Sequence, residues 1–174
     1  MNIMANLKNA KFGIAIPACI LSLVGFVSVL VGVILYSSNC ASEFNGGAVS
    51  GNVVSLGTAA IILAGIALLG LIASLFLAKN EKTAYLFSYA RFGNFAAFVL
   101  SLGAFFFQIL DEYSLIGTIL YPIVSGAVGD PVDPVLSGSY FSALGLLLVA
   151  MIVSMVAGCL VSHRAKRLLA KEAK

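Results

Sequence analysis

An arginine and an asparagine lie within one strongly apolar stretch of the chain, "SYARFGNFAAF" at residues 88–98. A charged side chain near the centre of a membrane costs about 2.5–3.5 kcal/mol and therefore often marks a functional site. Asn94 follows Arg91 by three residues and shares its flank of a helix, where its amide can bond a neighbouring helix. The pair is either a polar site for a substrate or ion, or a membrane anchor with a packing asparagine. We favour the anchor, because Arg91 lies close enough to the start of its helix to reach the headgroups.

The other residues with chemical potential do not form a recognisable catalytic or metal site. His163 and Cys159 lie about one helical turn apart, but two ligands do not make a zinc site. The long apolar stretches contain no carboxylate, so they lack the usual parts of a proton relay or an intramembrane cation site. Asp130 and Asp133, which are followed by prolines, are typical of turns. We therefore expect a protein that is not an enzyme and binds no cofactor or metal.

The elements that carry these residues are apolar helices. The 174 residues are 61% hydrophobic and only 10% charged, with a mean hydropathy of +1.08. Four charge-free stretches are long enough, or nearly so, to cross a ~30 Å hydrocarbon core as helices, and the first is too long for a cleaved signal peptide. We predict an all-α, four-transmembrane-helix bundle in a single membrane domain, 1–174. Its helices are expected at about 12–36, 53–78, 84–110 and 140–163, with a short outer loop at 37–52, a longer one at 111–139 and a basic tail at 164–174.

The charges predict the orientation of this bundle. All ten lysines and arginines lie on one side of the predicted membrane. The charged residues of the two predicted outer loops are, in contrast, all acidic. The positive-inside rule then places both termini in the cytoplasm and the protein in the cytoplasmic (plasma) membrane. The basic tail is expected to contact anionic membrane lipids rather than nucleic acid. Cys40, the one cysteine on the outer side, either stays free or joins a second copy of the chain.

Small residues recur at helical spacing on all four predicted helices, including Gly25, Ser28 and Gly32 on helix 1 and Ser74 on helix 2. Helices in lipid associate mainly by close packing of such residues, with occasional polar contacts. We predict that these faces form the core of one bundle; an interface between copies is the alternative. The predicted packing residues are Gly93, Ala97, Ser101, Ala104 and Gln108 on helix 3, Ala60, Ala64 and Ala67 on helix 2, and Ala150 and Ser154 on helix 4.

The longer outer loop contains an apolar segment that is too short to cross the membrane. It is interrupted by Pro122, which should end a short helix there, so we expect the segment to fold back at the outer surface. It either caps the bundle or forms a docking surface for another protein. The residues that share one side of it are Leu115, Ile116, Ile119, Leu120 and Ile123.

Two stretches, "ILYSSNC" at the end of helix 1 and "YFSALGLLLVAMIVSMVAG" in helix 4, resemble small four-helix membrane proteins of Gram-positive bacteria. That resemblance implies the fold but no activity. The chain has no tryptophan, as a claudin signature requires, and no Cys-Cys-Gly, as in tetraspanins. We expect an accessory subunit or scaffold whose partner is another integral membrane protein or a second copy. The alternative is a self-associating transporter or channel with Asn94, Ser101 and Gln108 along a polar path.

Overall fold

The structure, a computed structural model, describes residues 15–40, 50–77, 83–124 and 138–172. These ranges contain four α-helices and no strand: α1 (Ala15–Cys40), α2 (Gly51–Leu77), α3 (Thr83–Val124) and α4 (Gly138–Glu172). Each helix includes a stretch long and apolar enough to cross a membrane, namely Ile16–Ser38, Gly51–Ser74, Ser88–Leu110 and Phe141–Ser162. The predicted all-α, multi-pass architecture is confirmed at this level.

The four helices form a closed ring in which each packs extensively against two neighbours. α1 packs on α2 and α4, and α3 packs on the same two helices, so α1 and α3 face each other diagonally. Neighbouring helices run antiparallel: Gly25 and Gly32 of α1 approach Ser154 and Ala143 of α4, in reverse order along the chain. Long helices that cross a membrane in succession adopt this up-down-up-down topology, as in other four-helix bundles.

Two of the helices continue beyond the ends that the sequence predicts for them. α3 was expected to end at Leu110, but it continues through fourteen further residues to Val124, two residues beyond Pro122. α4 likewise continues past Ser162 into the expected basic tail and ends at Glu172. The charged residues after each apolar stretch end the part that suits a lipid environment, but Asp, Glu, Lys and Arg do not break a helix. The segment at 111–124 is therefore a direct extension of α3 and not a separate helix folded back.

Glycines allow the helix backbones to approach closely. A Cβ atom placed on Gly93 of α3 would lie 2.9 Å from the Ala67 Cβ and 2.9 Å from the Leu63 carbonyl oxygen of α2. On the opposite side of the ring, a Cβ on Gly25 of α1 would lie 2.9 Å from Ser154 Oγ of α4. Because lipid chains are as apolar as the side chains, these van der Waals contacts, rather than the hydrophobic effect, hold the helices together.

A cluster of buried apolar residues lies towards each end of the bundle. The Tyr36 cluster consists of Val29, Val33, Tyr36, Val53, Ala60, Ala104, Ala143, Leu147 and Ala150. The Leu71 cluster at the other end consists of Ala18, Leu71, Ala90 and Val161. The start of α1 and the later part of α4 therefore share one end of the bundle. At the other end, the Ser50 backbone N–H donates to the Tyr36 hydroxyl (3.2 Å), which ties the start of α2 to α1.

The outward faces of the spans are covered by large apolar side chains. α1 and α2 present mainly aliphatic residues such as Ile20, Ile34 and Leu69, whereas α3 presents aromatic ones, including Phe92 and Phe106. In water such a surface would aggregate, but it suits the hydrocarbon interior of a bilayer. The outward faces are thus apolar and the small residues lie between the helices, as expected for a membrane bundle.

The contact at Gly93 predicts a large effect from one added methyl group. We expect Gly93→Ala to lower the free energy of unfolding by about 1–3 kcal/mol, because a backbone carbonyl and a methyl group obstruct the new atom. Gly145→Ala is the matched control, since no atom lies within 4 Å of its added Cβ. The control should be neutral or raise stability by up to about 1 kcal/mol. Thermal unfolding of both variants in detergent tests this, and equal melting temperatures would contradict it.

Candidate polar site inside the bundle

A hydrogen bond between α1 and α3 crosses the centre of the bundle. Ser22 Oγ of α1 donates to Asn94 Oδ1 of α3 over 3.0 Å, and both residues are almost completely buried. The Asn94 amide also donates through Nδ2 to the Ala90 carbonyl oxygen, over 2.9 Å. Because α1 and α3 are diagonal in the ring, a bond between their side chains must pass near the bundle axis. Asn94 therefore does bond another helix, and its partner lies across the bundle.

Burial makes the loss of this hydrogen bond costly in free energy. An amide taken out of water without a partner costs several kcal/mol, and hydrocarbon offers no alternative donor or acceptor. Ser22 supplies a donor to the Asn94 oxygen, and the helix backbone accepts from its nitrogen. The bond to the Ala90 carbonyl oxygen lies within α3 itself, whereas the bond to Ser22 joins two helices and requires close packing of the bundle, to which Gly93 contributes by letting α3 lie close against α2. The pair is thus positioned by the same packing that closes the bundle.

Two further polar side chains of α3 lie on the same inward face as Asn94. Ser101 and Gln108 follow at intervals of seven residues, which is close to two helical turns, and both are buried. Their spacing places three hydrogen-bonding groups in a row over about 21 Å. Ser28 of α1 and Ser154 of α4 are buried as well. The bundle interior therefore contains a line of neutral polar groups.

The structure places every predicted packing residue in the interior of the single chain. Gly93, Ala97, Ser101, Ala104 and Gln108 form the inward face of α3; Ala60, Ala64 and Ala67 are buried on α2, and Ala150 and Ser154 on α4. A ring of several copies would not use these faces as its interfaces. Asn94, Ser101 and Gln108 accordingly lie within one bundle and not at a surface where two copies meet.

Arg91 and Asn94 point in different directions. Arg91 is exposed on the outside of α3, whereas Asn94 is 1% exposed at its inward side. The expectation that they share a flank is therefore wrong. Residues three apart differ by about 60° around a helix, which suffices to divide them when the boundary of the buried face lies between. Arg91 sits beside Ala90 of the Leu71 cluster, four residues into the apolar span. The arrangement gives Arg91 no part in the interior polar line.

The interior groups can donate and accept hydrogen bonds but carry no charge. Within the described ranges, histidine, cysteine, aspartate and glutamate form no group of three or more that could hold a metal ion. Cys19 and Cys159 are free, with Cys159 exposed. Hydroxyl and amide groups of this kind can hydrogen-bond two helices to each other or bind a small neutral molecule.

Sequence reasoning placed Ser74 and Ser28 on the predicted packing faces but did not identify Ser22. Ser22 is the partner of Asn94, and Ser74 is buried with its hydroxyl donating to the Leu71 carbonyl oxygen (2.6 Å). Ser22 lies three residues before Gly25, on the stripe that continues to Gly32, so the helical spacing of small residues could have indicated it. The apolar residues Leu115, Ile116, Ile119, Leu120 and Ile123 lie in the extension of α3. Their side chains are outside the described residues, so the docking surface stays a prediction.

The bond between Ser22 and Asn94 predicts a measurable coupling. In a double-mutant cycle with Ser22→Ala and Asn94→Ala, the two substitutions should be less than additive by about 0.6–1.7 kcal/mol, the range for polar contacts between membrane helices. Unfolding equilibria in detergent or bicelles provide the four free energies. Ser154→Ala combined with Asn94→Ala is a control, since no bond joins that pair. Strict additivity of Ser22→Ala and Asn94→Ala would show that the bond contributes nothing.

The outward position of Arg91 predicts tolerance of a lysine. Arg91→Lys should insert and unfold like the unmodified protein, because either long side chain can extend its charge to the headgroups. Arg91→Leu should also fold, since nine other cations remain to orient the chain. Cysteine-labelling topology and thermal unfolding measure both outcomes. If Arg91→Lys folds normally but loses a biological activity, the forked geometry of arginine is required and Arg91 belongs to a site.

Comparison with known proteins adds no family to this description. The chain matches no protein-family model, and neither a curated protein nor a solved structure is significantly similar to it. Any functional assignment therefore starts from the bundle geometry, the interior polar line and the outward faces.

Proposed function

We propose that the protein is a non-enzymatic accessory subunit or scaffold of a membrane protein assembly. The observation that carries this proposal is where the polar groups lie. Asn94 is bonded to Ser22 across the bundle axis, and the backbones beside it approach so closely that a methyl group does not fit at Gly93. Polar groups used in this way stabilise the bundle. The functional contacts that we propose are therefore made by the outward surface of the bundle and by the parts of the chain beyond its apolar spans.

The outward face of α3 suits contact with another membrane protein. Tyr89, Phe92 and Phe106 are more than half exposed there, together with Val99 and Leu110. Aromatic side chains bury a large area with little loss of rotamer freedom, so they are enriched where proteins meet. The other helices present mainly aliphatic residues, which suit lipid equally well. A partner that packs on this bundle would gain most from the α3 face.

The extension of α3 adds a second contact region. Residues 111–124 continue the helix for about 21 Å beyond the apolar span. Leu115 and Ile119 follow Gln108 at spacings of seven and eleven residues, so they continue the same side of the helix by register. A helix with an apolar stripe that leaves the membrane needs a covering surface, and a partner protein is the occupant we propose.

The orientation of the proposed assembly follows from charge. Arg91 lies at the Leu71 end, and the chain segments that carry the other nine cations adjoin that end in sequence. Under the positive-inside rule this end faces the cytoplasm, with both termini inside, in the plasma membrane. The extension of α3 then projects on the opposite side, where the partner surface would be extracytoplasmic.

The second candidate is a transporter or channel, and the line of buried polar groups favours it. Asn94, Ser101 and Gln108 face the interior of one bundle, so a path would run through a single chain and not between copies. The Leu71 cluster would have to open at one end for a solute to pass. A neutral, hydrogen-bonding solute would match such a lining better than an ion, because no charged side chain faces it in the described spans.

A purification from native membranes distinguishes the two functions. The tagged full-length chain is solubilised in mild detergent and its composition and mass are measured. An accessory subunit should co-purify with a larger membrane protein in fixed stoichiometry, and the complex should survive size-exclusion chromatography. A particle that contains this chain alone, and that carries a neutral solute across vesicle membranes after reconstitution, would establish the transporter.

The α3 extension predicts which substitution releases the partner. Ile119→Asp should reduce recovery of the partner at least tenfold, because a buried, unpaired carboxylate at an interface costs more than 1.4 kcal/mol. Thr118→Asp is the matched control: it adds the same charge one residue away, off the apolar stripe. Quantitative mass spectrometry measures recovery, and circular dichroism checks that the spans remain helical. If both variants retain the partner, the extension is not its docking surface.

A further inference from the structure

We propose that the Ser101 hydroxyl binds an internal water molecule near the middle of the membrane span. This site is independent of the accessory role proposed above, since it concerns the bundle interior and not the outward faces. Ser101 is 1% exposed, and its Oγ has no hydrogen-bond partner among the residues that the structure describes. A buried hydroxyl without a partner costs about 1–3 kcal/mol, which a bound water would offset.

Other serines in the same helices are satisfied differently. Ser74 Oγ donates to the Leu71 carbonyl oxygen and Ser37 Oγ donates to the Val33 carbonyl oxygen, each within its own helix. Ser22 Oγ donates across the bundle to Asn94. The Ser101 hydroxyl makes neither kind of bond and faces the bundle interior. Its orientation therefore points to a ligand between the helices rather than to its own backbone.

The surroundings of Ser101 are built from small side chains. Ala104, one turn further along α3, packs in the Tyr36 cluster with Ala60 of α2 and Ala150 of α4. Alanine contributes a single methyl group, so three alanines from three helices fill less volume than the larger residues of this cluster. Water is the smallest hydrogen-bonding molecule, so we propose it rather than a larger solute as the ligand at this level.

The proposed water needs further partners from the neighbouring helices. A buried water typically makes about three hydrogen bonds, so Ser101 alone cannot hold it. One candidate is the Ala150 carbonyl oxygen of α4, which lies beside a residue without a side chain: a Cβ on Gly25 of α1 would lie 3.8 Å from it. Carbonyl oxygens that already accept one helix bond have a second lone pair free to accept another. A second candidate is Ser28 of α1, a buried residue that precedes Val29 of the same cluster.

Water-edited solid-state NMR tests the site in the full-length chain. The isotope-labelled protein is reconstituted in lipid bilayers, and magnetisation transfer from water protons is compared at Ser101, Ala97 and Ala104. All three lie on the inward face of α3 and are equally buried, so Ala97 and Ala104 serve as internal controls. We expect faster transfer at Ser101 than at either alanine, and loss of that excess in Ser101→Ala.

Each outcome decides the proposal, and the measurement on the unmodified protein suffices if Ser101→Ala does not fold. Transfer at Ser101 no faster than at the two alanines would overturn it, and would mean that the hydroxyl rotates to donate to the Ala97 carbonyl oxygen. Fast transfer at all three residues alike would also overturn it, because it would reveal a continuous water-filled path. That second result would favour the transporter over the accessory subunit.

Discussion

The close approach of α2 and α3 at Gly93 is the constraint on which the rest of the bundle depends. In a lipid environment, apolar side chains gain no hydrophobic free energy by moving from the lipid into the protein interior. Helix association must therefore come from van der Waals contact between the helices. The glycine places the α3 backbone against Ala67 and the Leu63 carbonyl oxygen, and Gly25 does the same for α1 against Ser154. These two contacts lie on opposite sides of the ring. Together they set the width of the interior, and that width decides whether a side chain on one helix can reach the diagonal helix.

The bond between Ser22 and Asn94 is a direct consequence of that width. Serine and asparagine are short, so they meet across a four-helix ring only when all four backbones are drawn inwards. The bond in turn restricts register: sliding α3 by one turn would leave the buried Asn94 amide without its partner, at a cost that the membrane cannot relieve. Small residues thus provide the attraction between the helices, while the polar pair selects one arrangement among those that small residues would permit. The two apolar clusters on either side complete the core with alanines and with larger residues such as Val29, Tyr36 and Leu71.

Much of this bundle follows from the sequence, because the membrane restricts both helix length and helix packing. The four apolar stretches and the inward face from Gly93 to Gln108 could be read from composition and from the 3.6-residue period alone. The partner of Asn94 could not, since spacing along one helix does not tell which other helix it faces. The different directions of Arg91 and Asn94 do not follow from their spacing, because the edge of the buried face falls between them. The ends of α3 and α4 differ from the predicted ones for another reason. The end of the apolar stretch at Leu110 marks where the span ends, whereas a helix ends only where its backbone is interrupted.

Function is harder to read than fold in this protein because the same polar groups serve two purposes equally well. A line of serine, asparagine and glutamine inside a helical bundle can fix register or can line a path, and both uses require burial. Close packing bears on the second use: a methyl group does not fit between α2 and α3 at Gly93, so widening the bundle for a solute would require movement of a whole helix. Such movement would have to break the Ser22–Asn94 bond and open the Leu71 cluster together. A scaffold needs neither event. In our proposal it needs only a closely packed bundle, an outward face such as the aromatic side of α3, and a helix that continues past its apolar span, and the described residues provide these three features.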